Sequence, residues 1–529
     1  MHRCLTIPEL VESIAEMVRE LHQDAKFKAK GPVQQVPNPL FSMVLTCRAF
    51  YEPTMNVLWD TLSSLIPLMK CFPGHVWKEN DDGKVRSVKP PSHEDWDRFL
   101  RNARRVRTLV LDHSEPASRD CLQLLSIPRP AMQPFPGLKF LLWVCDTENT
   151  KSYLNLFIGP RLERLWLMRG TSSTQIAMFE AIRDHAPNLE LLIFGPSEES
   201  PGVDEALSMA MLKMSRIRII SSEGAFTLSG AAFAHIGTLS TLVSVDMHVK
   251  DGQELIDALL ASPLATFPVL SRIHFVVKNL GSSSLTDLMR TIQAPQLRRV
   301  ILEFEERPSA TELRQLFRAV ATHRSVHTVE VSLSHPGARI PPPAEVNHAQ
   351  AADISTLLPL LALSNLRNLV IGDIPVYLDS AAIQEVASSW QKLELLKLEP
   401  EGSSSTVGIP TANELVHFAK HCPSLRTLHI WVDTLGMTLH DYRPGMGHVC
   451  ESLTSFYPGR SPISDVNAVA VFLSDIFPNA KIQSVSNNVA SADAAKIWSQ
   501  VACMVPLLGQ VRKQERKGVP DINARDLSC

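Results

Sequence analysis

The feature that most constrains this chain is a spaced apolar pattern that recurs from about residue 106 to residue 430. Each instance reads apolar-x-x-apolar-x-apolar, and seven consecutive intervals, from Leu138 to Val326, lie between 24 and 29 residues. Self-similarity at this period predicts a repeat architecture, in which each unit packs on its neighbours. The twelve instances are Val106-Leu109-Leu111, Leu138-Leu141-Trp143, Leu162-Leu165-Leu167, Leu189-Leu192-Phe194, Met214-Ile217-Ile219, Leu242-Val245-Met247, Leu270-Ile273-Phe275, Leu297-Val300-Leu302, Val326-Val329-Val331, Leu366-Leu369-Ile371, Leu393-Leu396-Leu398 and Leu425-Leu428-Ile430.

Proline marks the start of half of these instances, two positions before the first apolar residue. Proline makes up only 37 of the 529 residues, so six occurrences at one position of the motif are not expected by chance. Because proline cannot continue a helix and biases its predecessor towards extended geometry, it ends one helix and leads into a strand. These residues are Pro136, Pro160, Pro187, Pro268, Pro295 and Pro423.

Each repeat combines one short strand with one helix. The end of each motif alternates apolar and other residues, which is typical of a half-buried strand. Segments such as 174–186, 252–262 and 311–323 carry apolar residues at helical spacing. Burying three strand side chains gains roughly 5–9 kcal/mol, whereas ordering one repeat costs on the order of 27–54 kcal/mol. We therefore expect stacked α/β layers that stabilise one another, with an ordinary parallel α/β fold as the alternative.

The N-terminal region does not follow the repeat period. Residues 5–62 predict three short helices, with a polar, proline-containing loop over 22–39. A helical cap for the repeats is an alternative, but a cap is expected to continue their period. One apolar stripe is predicted on the first helix, formed by Leu10, Ile14, Met17, Val18 and Leu21.

The N-terminal segments IPELVESI, VLTCRAF and VLWDTL resemble the F-box in order and chemistry, and the repeats resemble the irregular leucine-rich repeats of F-box proteins. The resemblance implies an α/β chain in which a three-helix F-box-like module precedes a right-handed, horseshoe-like solenoid. It also implies that the module binds a Skp1-like adaptor, and through it a cullin. The residues that match the F-box pattern are Ile7, Pro8, Glu9, Leu10, Ile14, Leu45, Cys47, Arg48, Leu58 and Trp59.

Changes in these patterns divide the chain into five segments. An F-box-like module is expected first, and a charged segment rich in turn-forming residues reads as a linker before the repeats. After the last clear motif the period weakens, which predicts a degenerate repeat that caps the array and then a polar tail. The expected bounds are 1–65 for the module, 66–104 for the linker and lead-in, 105–432 for the repeats, 433–505 for the cap and 506–529 for the tail.

Composition and motifs argue against several functions. The 52 basic and 55 acidic side chains give a net charge of −3, without the footprint of a nucleic-acid or anionic-membrane binder. Nine scattered cysteines without a CxxC pair indicate a reducing compartment, the cytoplasm, the nucleus or both. Phosphate-binding, nucleophile-elbow and metal-binding motifs are not found, so we expect no cofactor, metal or catalysis. Four histidines, without regularly spaced acidic partners, are interpreted as structural: His235, His248, His274 and His429.

The expected function is therefore that of a non-enzymatic substrate-recognition adaptor of a ubiquitin ligase. The alternatives are a leucine-rich-repeat scaffold without ligase attachment, and an enzyme, which would need a polar cluster in a deep pocket. The candidate target surface consists of charged residues directly after the first apolar position of a motif, where either partner contact or solvation explains a charge. These residues are Arg107, Glu163, Glu190, Arg298, Arg367 and Arg426.

Overall fold

A computed structural model shows parallel strands that alternate with helices over most of the chain. It contains two compact units, residues 1–242 and 243–529. The structure describes all residues except 1–2, 29–37, 80–84, 93, 113–115, 126–132, 145–152, 155, 169–170, 196–199, 223, 225, 278–283, 335–351, 375, 399–408, 440–442, 444, 460, 484–491 and 519–529.

The first unit begins with a helical module and continues into a parallel sheet. Its helices are α1 (Pro8–Lys28), α2 (Pro39–Val44), α3 (Arg48–Asp60), α4 (Ile66–Met69), α5 (Trp96–Ala103), α6 (Pro116–Leu125), α7 (Ser172–His185), α8 (Pro201–Met211) and α9 (Gly230–Gly237). Its strands are β1 (Thr61–Leu62), β2 (Trp77–Glu79), β3 (Val85–Ser87), β4 (Thr108–Asp112), β5 (Phe140–Val144), β6 (Arg164–Met168), β7 (Leu191–Phe194) and β8 (Ile219–Ser222). Strands β1, β4, β5, β6, β7 and β8 lie side by side in parallel, and β2 and β3 form a separate hairpin.

The second unit repeats the same alternation. Its helices are α10 (Gly252–Ala261), α11 (Ser284–Thr291), α12 (Ala310–Val320), α13 (Ile354–Leu361), α14 (Ser380–Ser389), α15 (Leu415–His421), α16 (Val466–Ile476) and α17 (Ala492–Gly518). Its strands are β9 (Ser244–Val249), β10 (Arg272–Val277), β11 (Arg299–Phe304), β12 (Thr328–Leu333), β13 (Asn368–Ile371), β14 (Leu395–Leu398), β15 (Thr427–His429), β16 (Ser455–Tyr457) and β17 (Lys481–Ile482). All nine are parallel and neighbour one another in sequence order.

The second apolar position of the motif forms a continuous buried row in each unit. Leu141 is in register with Leu165 and then Leu192 in the first unit, and Ile273 is in register with Val300 in the second. All five residues are 0% exposed. This arrangement, with parallel strands in sequence order and a helix between most of them, confirms the predicted α/β class and its stacked repeats.

Side-chain caps fix where the helices begin. The hydroxyl of Thr171 accepts from the backbone of Thr174 at the start of α7, and the Asp251 carboxylate accepts from two backbone N–H groups at α10. Ser309 and Glu312 form a reciprocal capping box at α12. Because the first N–H groups of a helix have no partner inside the helix, such caps stabilise the point at which the chain leaves each strand region.

One predicted motif is shifted along the chain. The sequence pattern selects Met214-Ile217-Ile219, but the structure aligns Ile220, not Ile217, with Leu192 of the preceding strand. Ile220 is 0% exposed, whereas Ile219 is half-buried and occupies the other face of the strand. The next inward position is Ser222, so the true motif lacks its third apolar residue and the pattern chose an incorrect register three residues earlier.

The N-terminal region forms the three expected helices, but its boundaries differ from the prediction. Helix α1 continues to Lys28 through part of the expected loop over 22–39, and residues 29–37 of that loop lie outside the described residues. Helix α3 leads directly into β1, which pairs in parallel with β4. The module is therefore continuous with the first strand of the sheet.

The expected linker over 66–104 contains its own folded structure. It holds α4, the β2–β3 hairpin and α5. The rings of Phe72, Trp96 and Phe99 form a cluster with centroid distances of 4.9 to 5.4 Å. All three side chains are nearly fully buried. Aromatic residues of this size anchor a local core even in a segment otherwise rich in charged and turn-forming residues.

The expected tail over 506–529 is helical as far as Gly518, and residues 519–529 lie outside the described part of the chain. Helix α17 packs so closely on the preceding loop that a Cβ at Gly509 would lie 2.5 Å from the Pro478 carbonyl oxygen. Arg512 forms a 2.8 Å ion pair with the buried Asp475 carboxylate. These long-range contacts, which local composition does not reveal, hold the polar segment in place.

The corrected register of β8 can be tested with two neighbouring isoleucines. We expect Ile220→Ala to lower the free energy of unfolding by about 2–5 kcal/mol, because it removes buried methyl groups and leaves a cavity. Ile219→Ala is the matched control and is expected to cost less than half as much, since Ile219 is only half-buried. Urea unfolding monitored by circular dichroism measures both, and equal losses would contradict this register.

Candidate protein-interaction surfaces

Helix α1 carries apolar residues on two faces, and only one of them is buried. Val11 and Ala15 are 0% exposed, and Ala15 belongs to a small core with Leu40 of α2 and Val57 of α3. Of the predicted stripe, only Val18 packs against that core. An adjoining face of the helix remains open, with exposed fractions of 44% for Leu10, 55% for Met17 and 70% for Leu21. We call these last three residues the outer stripe of α1.

The residues matched to the F-box pattern lie on this module, largely at its surface. Among them, Ile14, Cys47, Leu58 and Trp59 are half-buried, whereas Ile7, Pro8, Glu9, Leu10, Leu45 and Arg48 are exposed. Leu45, which directly follows α2, is 85% exposed. Phe41, which sequence reasoning did not single out, is 57% exposed on α2. The module thus offers apolar side chains to a partner from both α1 and α2.

Ion pairs connect α1 to α3 within the module, and α3 to the segment that follows α5. Arg19 of α1 lies 3.2 Å from the Asp60 carboxylate at the end of α3. Arg105, after α5, contacts Glu52 at 2.6 Å and donates to the Asn56 side chain at 2.7 Å. A groove of about 830 Å³ between α3 and α5 is lined partly by Leu58 and Trp59 of the F-box pattern, and by Asp95 and Arg98 on its other side.

Three of the candidate target residues lie in a column at the amino ends of the strands of the first unit. The backbone N–H of Lys139 donates to the Arg107 carbonyl, that of Glu163 to Lys139, and that of Glu190 to Glu163. Lys139 pairs with Glu163 at 2.8 Å, and Arg218 lies 3.7 Å from Glu190. Arg107 lies 3.9 Å from carboxylates of both Glu12 and Asp60. These charges stabilise one another only weakly, because the pairs are exposed to solvent.

The second unit contains the other three candidates in an equivalent column. Backbone hydrogen bonds connect Arg298, His327 and Arg367 on successive strands, followed by Glu394 and Arg426. Arg367 pairs with Glu394 at 2.9 Å, whereas no salt bridge reaches Arg298 or Arg426 within the described residues. Burial, followed by the charges of Arg367 and Arg298, lowers the pKa of His327. Burial and the neighbouring arginines thus disfavour the protonated form of His327.

A partly buried ionic cluster crosses three strands of the second unit. His274 on β10 has Nδ1 3.0 Å from the Asp246 carboxylate on β9 and Nε2 3.2 Å from the Glu303 carboxylate on β11. Its side chain is 15% exposed. Burial alone would lower the pKa of His274, but the two carboxylates outweigh it and raise the pKa to about 9.

The interpretation of His274 as a residue without acidic partners is therefore wrong. Asp246 and His274 each occupy the position between the second and third apolar residues of their motif, and the structure pairs them directly. Aligning consecutive motifs would have revealed this neighbour. His235 fits its structural interpretation, because its Nε2 lies 3.0 Å from the Met214 carbonyl oxygen. His429 stacks on Tyr457 with ring centroids 3.6 Å apart.

Within the described ranges, no group of three or more His, Cys, Asp or Glu side chains is arranged to hold a metal ion. The same part of the chain contains no helix with the length and apolar character needed to cross a bilayer.

No protein family and no curated protein matches the chain by sequence. Among solved structures, the chain is similar to the leucine-rich repeat-containing protein LegL7 from Legionella pneumophila, at 14% identity and a TM-score of 0.28. That match covers 60% of this chain and 93% of LegL7. The F-box identity of the N-terminal module therefore stays a prediction.

The His274 cluster predicts a specific pH dependence of stability. Because the pKa of His274 rises from 6.5 to about 9 on folding, the stabilisation is complete below pH 6.5 and is lost as the pH approaches 9. We expect the free energy of unfolding to fall by up to about 3 kcal/mol across this window.

Urea unfolding of the wild type and of His274→Gln between pH 6 and pH 9 measures this effect. The free energy of unfolding of the variant is expected to lack this decrease towards pH 9, because glutamine does not titrate. Parallel pH profiles for the two proteins would show that His274 does not change its charge in this window on folding.

Proposed function

We propose that this chain is a non-enzymatic adaptor, whose N-terminal module docks a Skp1-like protein and, through it, a cullin-based ubiquitin ligase. The repeats bind a protein target. The adaptor transfers no group itself but raises the effective concentration of the target near the ligase. A leucine-rich-repeat scaffold for protein–protein interaction is the broader function that contains this proposal, and it does not require attachment to a ligase.

The observation that supports ligase docking most directly is the outer stripe of α1. Leu10, Met17 and Leu21 remain exposed on a module whose own core is already formed by other residues. Burying one such side chain gains roughly 1.5–3 kcal/mol, so a partner that covers three of them gains substantial binding energy. Clustered exposed apolar residues of this kind commonly mark protein interaction sites.

The F-box resemblance decides which partner we propose. The exposed Ile7, Leu10 and Leu45 belong to the F-box pattern, and Phe41 adds a further exposed ring on α2. A helical surface of this composition suits a helical adaptor, which would bury the apolar residues and leave Glu9 and Arg48 at the polar rim. A docked Skp1 would thus explain residues that the chain itself leaves uncovered.

We also propose that the protein acts in the cytoplasm, the nucleus or both. Four cysteines within the described residues are buried: Cys71, Cys121, Cys422 and Cys450. Burial raises the pKa of Cys71 and raises that of Cys422 to about 12, which keeps both thiols protonated and unreactive. Such cysteines suit a reducing compartment, in which disulfides are rare.

Retention of purified Skp1 by the immobilised full-length chain tests the ligase attachment. We expect Leu10→Asp and Ile14→Asp together to reduce Skp1 retention at least about tenfold, since they place charges in an apolar contact. Leu264→Asp is the matched control, because Leu264 is 76% exposed but belongs to the second unit. We expect it to retain Skp1 as the wild type does.

Thermal unfolding of all three proteins should agree within a few degrees, because the substituted α1 side chains contribute little to the core of the module. A wild-type chain that fails to retain Skp1, under conditions in which an established F-box protein retains it, would rule out the ligase attachment. The broader scaffold function would survive that result.

A further inference from the structure

The first unit has an apolar surface on the side of its strands opposite the buried rows. Val110, Leu142, Trp166 and Ile193 are in register across β4, β5, β6 and β7. In a neighbouring row, Arg164 lies between Phe140 and Leu191. We call the six apolar residues of these rows, Val110, Phe140, Leu142, Trp166, Leu191 and Ile193, the apolar strip.

This surface is not a general property of the repeat. In the second unit, the equivalent rows of β9 to β12 hold mostly polar and charged residues. One of these rows consists of Asp246, His274, Ile301 and Glu330. The strip residues are half-buried to exposed, with Trp166 at 37% exposure. An apolar strand surface confined to one unit is a specific feature, and such patches commonly serve a partner.

Arg164 is the one charged residue within these two rows of the first unit. Its guanidinium lies 5.0 Å from the centre of the Phe140 ring. That ring packs edge-on against Trp166, with centroids 5.5 Å apart. Within the described residues, no carboxylate forms a salt bridge with Arg164. The guanidinium is thus held at the centre of an apolar surface by aromatic packing and remains available to an anionic group.

We propose that the apolar strip is the main contact for the target protein, and that it binds a segment with large apolar side chains around one carboxylate that pairs with Arg164. This inference rests on the proposed adaptor function and names the chemistry of its target. Aromatic residues and arginine at the centre of a surface are the residues that contribute most to binding energy. The paired charges of Lys139, Glu163 and Glu190 beside the strip supply its polar rim.

Two other occupants fit the charges less well. A second copy that paired its own strip by two-fold symmetry would bring two Arg164 guanidinium groups together without a counter-charge. An anionic bilayer is attracted by clusters of basic residues, whereas this strip has one cation and lies beside the carboxylates of Glu163 and Glu190. A protein segment with one carboxylate among apolar side chains would pair with Arg164 and also cover the apolar strip.

The size of the strip limits the length of the segment. Four parallel strands lie about 4.8 Å apart, so the strip extends roughly 14 Å across them. A helix covers this distance in about ten residues, at 1.5 Å per residue. A short peptide is therefore sufficient to test the proposal.

Selection of displayed random dodecapeptides on the immobilised full-length chain supplies the probe. We expect the enriched sequences to combine at least two large apolar residues with one Asp or Glu. The best peptide is then synthesised together with its amide counterpart, in which the acid is replaced by Asn or Gln. For the wild type, we expect the acid peptide to bind about tenfold more tightly than the amide.

Two variants connect this difference to the strip. With Arg164→Gln, the acid and amide peptides are expected to bind with equal affinity. This is the result of a double-mutant cycle in which Arg164 and the peptide carboxylate contact each other directly. With Trp166→Ser, both peptides should bind at least about tenfold more weakly. Leu395→Ser is the matched control, because Leu395 is a half-buried strand residue of the second unit, and it should leave both affinities unchanged. Thermal unfolding confirms that each variant is folded.

Several results would overturn the proposal. These are enriched peptides without an acidic residue, an acid preference that persists in Arg164→Gln, and binding that Trp166→Ser leaves intact. Dimerisation in sedimentation analysis, or binding to phosphatidylserine vesicles, would also overturn it if Trp166→Ser abolished either one. Skp1 retention is measured in a separate experiment, with variants of the N-terminal module in the full-length chain. A failure of that experiment would therefore leave the peptide result valid.

Discussion

Each strand of the repeats is stable only because the strands before and after it lie alongside. Leu165 reaches 0% exposure in register with Leu141 and Leu192, and Val300 does so in register with Ile273. A single strand and helix would leave this row open to water, and the backbone entropy lost on ordering them would exceed the gain. Parallel packing in sequence order is therefore the condition on which the other features depend.

In the same packing, the two faces of each strand are under different constraints. Inward positions must be apolar in nearly every layer, whereas the opposite positions are free to vary. These opposite positions form an apolar surface around Trp166 in the first unit and a partly buried ionic cluster around His274 in the second. Neighbouring strands place these side chains about 5 Å apart, so short-range pairs form between residues that are some 27 positions apart in the chain.

The two proposed contacts have a common physical origin. The outer stripe of α1 and the apolar strip are apolar side chains that remain after the local core is complete, as Leu10 does beside the buried Val11. Neither surface requires chemistry beyond binding, since burial of apolar area and one ion pair supply the energy. An adaptor needs two such separate contacts, one for the ligase and one for the target.

The sequence by itself determined the repeat, its strands and its helices, because apolar spacing and proline position are local properties. It also placed three helices before the repeats. Tertiary structure decided what local patterns do not encode: the register of Ile220, the acidic partners of His274, and the helical packing of Arg512 on Asp475. It also decided that Leu10 faces solvent while Val11 is buried. Those outcomes depend on which residues the neighbouring layers bring together, and that information lies far away along the chain.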